Sequence, residues 1–218
     1  VLELTLNDGK SRFHGDLQIG LKTGHITDYE TFEDFYAAYD RQVKFFTKHF
    51  VDLANMGQEM RAANYAKLVK TPFTEACIEK GLNLDEGGAV YNYGCIETAG
   101  AGVVADSMTA IKKLVFEEKL ISKETLEAAI AADFVGYEKE RQLLLNKAPK
   151  YGNDDPEADA MMHRVLESFW GDIKNYKSVR GQEFTGACSL LSGGIFYGDA
   201  TWATPDGRHK GEPLGNTI

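Results

Sequence analysis

From Thr31 onward, aromatic and aliphatic residues return at every third or fourth position: Phe32, Phe35, Tyr36, Tyr39, Val43, Phe46, Phe50 and Leu53. That spacing is the period of an α-helix, and Thr31 with Asp34 makes a capping-box-like start. A stripe this wide and this aromatic has to be covered, so the helix predicts a sheet or barrel wall for it to pack on. The pattern weakens towards Lys70, and Thr71-Pro72 ends it.

The other segments are shorter. Val1 to Leu6 alternates apolar and polar side chains, as a strand or the end of a helix would, and Asn7-Asp8-Gly9 then supplies a turn. Gly87 to Gly102 reads as a loop rich in glycine and other small residues, where backbone can approach a neighbour closely. Helical spacing resumes with Met108, Ile111, Leu114 and Val115. Ser122 caps a further helix that turns Leu126, Ile130 and Phe134 inward. Another helix covers Tyr137 to Asn146. Asp155-Pro156 is an N-cap followed by proline at the first helical position, and that helix carries Met161, Val165, Phe169, Trp170 and Ile173. Ser192 to Gly198 is read as a short strand between glycines, and Ala203 to Arg208 as a tight turn. Helices dominate and strands are few and short, which leaves α/β and α+β both open on pattern alone.

Charge narrows the partners. With 24 Lys and Arg against 33 Asp and Glu, the net charge of −9 repels phosphate backbones and no basic cluster offsets it, so nucleic acid is excluded as an expected partner. No apolar run is long enough to cross a bilayer, and Val1 to Leu6 lacks the plan of a signal peptide, so no membrane partner is expected either. Cys77, Cys95 and Cys188 are odd in number and have no CxxC spacing. They read as reduced, buried thiols of a cytoplasmic protein, and neither a disulfide framework nor a metal site is expected. His14, His25, His49, His163 and His209 are scattered and match no ligand spacing. Chain starts on Val1, and stops at Asn216-Thr217-Ile218 without a cap or polar tail, read together as a piece cut at both ends.

Among chemistry-bearing groups, Gly94-Cys95-Ile96-Glu97 stands out. A thiol next to a glycine, with a carboxylate two residues on, suits nucleophilic or radical work in which sulfur meets the substrate and the carboxylate handles a proton. A packed turn with an exposed glutamate has the same letters.

Several stretches together resemble the glycyl radical enzymes of the pyruvate formate-lyase superfamily, in the branch of dehydratases, amine lyases and arylacetate decarboxylases. They are Leu2 to Gly9 (Leu-Glu-Leu-Thr-Leu-Asn-Asp-Gly), Gln18-Ile19-Gly20, Gly87 to Tyr93, Ala105 to Phe116, Ala148 to Asp154, Ala203 to Arg208 and Gly211 to Leu214. They fall in the family's order and at its spacing along essentially the whole chain. The resemblance implies an α/β fold: the helix-rich second half of a ten-stranded α/β barrel, here a single partial domain over residues 1–218. It also implies a glycyl radical in the parent protein, installed by an activating enzyme that uses an iron–sulfur cluster and S-adenosylmethionine. None of these cofactors is expected on this chain. A small-molecule substrate and a homo-oligomeric parent are implied as well.

The family's thiyl-radical motif is Gly-Cys-X-Glu in this branch, the same letters as Gly94 to Glu97. The register through Tyr91-Asn92-Tyr93 and Ala105-Asp106-Ser107 nevertheless puts Cys95 on a later loop, where many relatives carry Gly-Pro-Gln-Gly, and places the thiyl motif before residue 1. The radical-storing motif, of Arg-Val-X-Gly-Tyr type, would fall beyond Ile218. No catalytic residue is therefore assigned within the chain. Cys95, Ile96 and Glu97 are expected to line the substrate cavity, with Glu97 holding the polar end of a substrate. A glutamate there fits a 4-hydroxyphenylacetate-type decarboxylase, a lyase that cleaves a C–C bond. A radical dehydratase or C–N lyase is the alternative within the family, and a short non-catalytic binding or repair module the alternative outside it. Phe184 to Ser189, where relatives often carry Pro-Gly-Leu-Tyr, is expected to line the same cavity, and Arg208 to be salt-bridged within a structural turn.

Overall fold

The computed structural model describes residues 1–188 and 193–215. They gather into two compact units. One comprises Val1–Phe45, Thr98–Ser168 and the chain from Cys188 onward; the other comprises Phe46–Glu97 and Phe169–Ala187.

In the first unit, α1 (Leu2–Leu6) buries Leu2, Leu4 and Leu6. The turn after it takes positive φ at Asp8 and Gly9 and leads into a small antiparallel ribbon of β1 (Lys10–Ser11) and β2 (Leu17–Gln18). Helix α2 (Phe32–Asn64) starts where the capping signal puts it: Thr31 Oγ1 accepts the Asp34 amide at 3.2 Å and donates to the Asp34 carboxylate at 2.6 Å. Its first half buries Phe32, Phe35, Tyr36, Tyr39 and Val43 as the period requires. Phe116 closes on Phe32 and Phe35 with ring centroids 6.1 and 6.4 Å away, a separation typical of favourable aromatic pairs. Arg164 lies over the Tyr36 ring at 3.6 Å and grips Glu33 with both nitrogens at 3.0 and 2.5 Å.

Helix α4 (Ala101–Ala110) continues directly into a π-helical stretch, Ile111–Glu117. There Lys112 reaches Glu157 at 2.7 Å and Glu117 at 3.5 Å. Ser122 caps α5 (Lys123–Ala131) by accepting the Thr125 amide, and α6 (Glu138–Asn146) follows. Helix α7 (Pro156–Ile173) starts on Asp155, whose Oδ1 accepts the amides of Glu157 and Ala158. Gly193–Asp199 forms a short helix, α8, instead of the strand expected there; Ser192 lies outside the described residues. Three apolar residues between glycines satisfy either period, so length alone does not discriminate.

In the second unit the stripe of α2 runs on, but Phe50 is 52% and Leu53 61% exposed, so the cover expected over the whole stripe ends before them. The helix stops at Asn64 rather than near Lys70. After the short α3 (Cys77–Lys80), the segment expected to be loop contains a strand, β3 (Gly94–Thr98), paired with β4 (Phe184–Cys188). Two aromatic rings lie directly on glycine backbone here. A β-carbon on Gly94 would stand 2.4 Å from the Phe184 ring, and one on Gly186 would stand 2.0 Å from Trp170 Cδ1.

No helix among the described residues is long and apolar enough to cross a membrane. The ring contacts yield a stability prediction. Gly186→Ala forces Trp170 off its seat and should destabilise the protein by about 1–3 kcal/mol, read as a lower thermal unfolding midpoint. An unchanged midpoint would mean that the indole moves aside without loss.

Candidate functional site

Strand geometry sorts the expected site residues by face. Side chains alternate along a strand, and in β3 Cys95 and Glu97 are exposed while Ile96 is half-covered and Gly94 buried. Phe184, fully buried, fills the space under Gly94. The strand therefore packs through its glycine and offers a thiol and a carboxylate side by side on its open face. Ile96 does not share that face, so the structure brings together two of the three residues expected to line the cavity and turns the third away. β4 lies beside β3. Thr185 Oγ1 donates to the Gly94 carbonyl at 3.3 Å, and in the first unit Thr98 Oγ1 meets Cys188 Sγ at 3.4 Å. Ser189 lies outside the described residues. All three cysteines are free thiols, but only Cys77 is buried; Cys95 is exposed and Cys188 half-covered, which corrects the expectation that all three are core residues.

The first unit holds a half-open pocket of about 470 Å³ with a mixed polar and apolar lining, which includes Val103, Asp106, Tyr151, Asp206, Arg208 and Pro213. Asp106 faces it from α4 and accepts the Tyr151 amide at 2.7 Å. Burial holds its carboxyl above the usual carboxylate range, against the pull of that amide and of Lys150. Burial also lowers the Lys150 ammonium, opposed by Asp206 and Asp106, and Lys150 Nζ donates to the Asp206 carbonyl at 3.0 Å. Asp106 was not singled out in the sequence, although a lone carboxylate inside the apolar run from Val103 to Ile111 is the kind of signal that could have drawn attention to it.

Arg208 is 7% exposed. Its guanidinium donates to Thr204 Oγ1 at 3.1 Å, to the Glu212 carbonyl at 2.6 Å, to the Thr201 carbonyl at 3.2 Å and to the Trp202 carbonyl. The salt bridge expected for it is thus replaced by a ring of neutral acceptors around one cation. The turn it closes is the expected one, with the Thr204 amide on the Arg208 carbonyl and Gly207 at φ +97°. Arg141, Trp202 and His209 fasten that turn to α6 and to the end of α5. Among the described residues, no cluster of three or more His, Cys, Asp or Glu side chains is placed to hold a metal ion.

Residues 1–198 match the sequence profile described as pyruvate formate lyase-like. The chain belongs to this family of glycyl radical enzymes. It is similar to the trans-4-hydroxy-L-proline dehydratase of Clostridioides difficile, at 33% identity over 100% of this chain and 28% of that protein. It is also similar to the isethionate sulfite-lyase of Desulfovibrio desulfuricans, at 34% identity over 98% of this chain and 26% of that protein. Among solved structures, the glycerol-bound B12-independent glycerol dehydratase from Clostridium butyricum superposes with a TM-score of 0.93 at 33% identity, covering 99% of this chain and 27% of that one. The glycyl radical enzyme fold implied by the sequence motifs is therefore the fold of this chain, which matches a portion of those barrels and spans between a quarter and a third of the relatives' length.

Within this glycyl radical enzyme segment, Arg208 has a structural task. Arg208→Met strips the donors from four acceptors at once and should cost more than about 3 kcal/mol, seen as loss of soluble protein or a steep fall in the unfolding midpoint. Arg208→Lys should not restore it, because a single ammonium on a flexible stem cannot serve acceptors on several sides. A midpoint within experimental error of wild type for either variant would contradict this assignment.

Proposed function

We propose that the full protein is a glycyl radical lyase of the dehydratase and sulfite-lyase kind, with residues 1–218 forming one partial domain, the second half of its barrel. The observation that carries this reading is the 33% identity to a hydroxyproline dehydratase over all of this chain. The decarboxylase reading drawn from Glu97 gives way to the dehydratase alternative, because the proteins that this chain resembles are dehydratases and sulfite-lyases. A carboxylate accepts a hydrogen bond from an aliphatic hydroxyl as readily as from a phenol, so Glu97 fits the revised substrate class without strain.

In this proposal the open face of β3 looks into the substrate cavity. Glu97 holds a hydroxyl of a small polar substrate, and Cys95 lines the wall beside it. The glycyl radical itself finds no fitting residues here: the 218 residues contain no Arg-Val-X-Gly-Tyr sequence, and no step is assigned to a radical on this chain. Its storage on another part of the protein, its installation by a separate iron–sulfur S-adenosylmethionine enzyme, a homo-oligomeric state and a cytoplasmic location all belong to this same proposal.

The test is turnover by the activated full-length protein. Trans-4-hydroxy-L-proline and glycerol should be tried for loss of water, isethionate for release of sulfite, and 4-hydroxyphenylacetate for formation of p-cresol. Product from one of the first three is expected; p-cresol instead would reinstate the decarboxylase. Glu97→Gln removes a charge-assisted hydrogen bond worth about 1.5 kcal/mol or more and should raise KM about tenfold. Near-normal kinetics in that variant would remove Glu97 from the site.

A further inference from the structure

The approach to β3, Val90 to Tyr93, makes an unusual set of contacts within the second unit. Gln182 Oε1 accepts the Asn92 amide at 2.5 Å, and Gln182 Nε2 donates to the Val90 carbonyl at 3.0 Å. In a parallel ladder, one residue accepts from the residue after its neighbour and donates to the residue before it. The Gln182 side chain makes that pattern about Tyr91. The next rung is main chain: the Gly94 amide donates to the Glu183 carbonyl at 3.2 Å. A carboxamide thus substitutes for a peptide group where the second strand has already turned away.

That turn is itself tied down. The Ser178 amide closes on the Gln182 carbonyl at 2.7 Å. Asn55 of α2 accepts the Val179 amide at 3.0 Å and donates to the Lys177 carbonyl at 3.2 Å. Gln58, also on α2, accepts the Ser178 hydroxyl at 2.6 Å. Arg180 adds a bond to the Tyr93 carbonyl at 3.0 Å. Helix, turn, Gln182 and strand form one hydrogen-bonded series that ends at Gly94, the residue before Cys95.

We propose that Gln182 is a positioning residue: its side-chain amide acts as a surrogate rung of sheet that fixes the entry to β3 and so the placement of Glu97 against the substrate. This rests on the reading of β3 as a wall of the substrate cavity. The result would be a specificity device, since at Val90 and Asn92 the strand's approach is held by a side-chain amide and not by main-chain pairing.

The test is made on the full-length protein with Gln182→Met, which keeps the length and removes both hydrogen bonds. Amide hydrogen exchange should speed up at residues 90–98 and stay unchanged in α2. With whichever of hydroxyproline, glycerol or isethionate is turned over, KM should rise at least about threefold with kcat within about twofold. Adding Gln182→Met to Glu97→Gln should then raise KM no further, because both act through one contact. Gln182→Glu retains the acceptor for Asn92 and should give exchange rates between those of wild type and Gln182→Met. Unchanged exchange at 90–98, or faster exchange throughout the protein, would overturn the proposal. So would an additive effect in the double variant. If Glu97→Gln leaves KM unchanged, the reading of Glu97 falls and its placement by Gln182 falls with it; faster exchange confined to residues 90–98 then supports Gln182 only as the residue that fixes the entry to β3.

Discussion

Rings laid on bare backbone make the β3–β4 pair possible. A two-stranded sheet is at best marginal in water unless one face is buried, and here Phe184 covers Gly94 while Trp170 covers Gly186. Because the covered residues lack side chains, the rings sit at backbone distance and seal that face with few residues. The opposite face then needs no apolar side chains for stability. It is free to carry a thiol and a carboxylate, which would be costly on a face that had to be buried.

The first unit solves a different problem, that of holding an irregular turn without sheet partners. Carbonyls that point inward in such a turn need donors, and Arg208 supplies them from one group. Its charge is balanced by the field of Asp206, Glu212 and Asp133 and not by direct pairing, while burial pulls its pKa down. Asp106 does the converse for an amide, accepting from Tyr151 while burial favours its neutral form. Both groups exchange water for main-chain polar atoms, and that is the reason they tolerate their positions.

What the sequence made legible was local. Thr31 with Asp34, Ser122, and Asp155-Pro156 each begin a helix because their side chains bond amides two or three residues away, an event decided within one turn. β3 reads as loop in the sequence because Gly-Cys-Ile-Glu-Thr has no convincing alternation, and the strand exists only through a partner some ninety positions later. The stripe of α2 correctly grouped its residues on one face, but periodicity reports which residues share a face and not whether anything covers it; Phe50 and Leu53 show the difference. At the site, Glu97 was visible through a motif. Gln182 and Asp106 were not, since a single amide or carboxylate has meaning only once folding sets it beside particular main-chain atoms.

The π-helical stretch Ile111–Glu117 has a consequence for anyone aligning or redesigning this segment. Lys112 and Glu117 are five residues apart, a separation that places side chains on different sides of an α-helix but on the same side of a helix with i→i+5 bonding. Charge pairing here therefore follows a wider count. A designer who deleted one residue between Ile111 and Leu114 to regularise the helix would rotate everything downstream by about 100°. Leu114 and Val115 would then leave the core in which they are now buried. One apparently spare residue in this run is the phase on which the inward face of the helix depends.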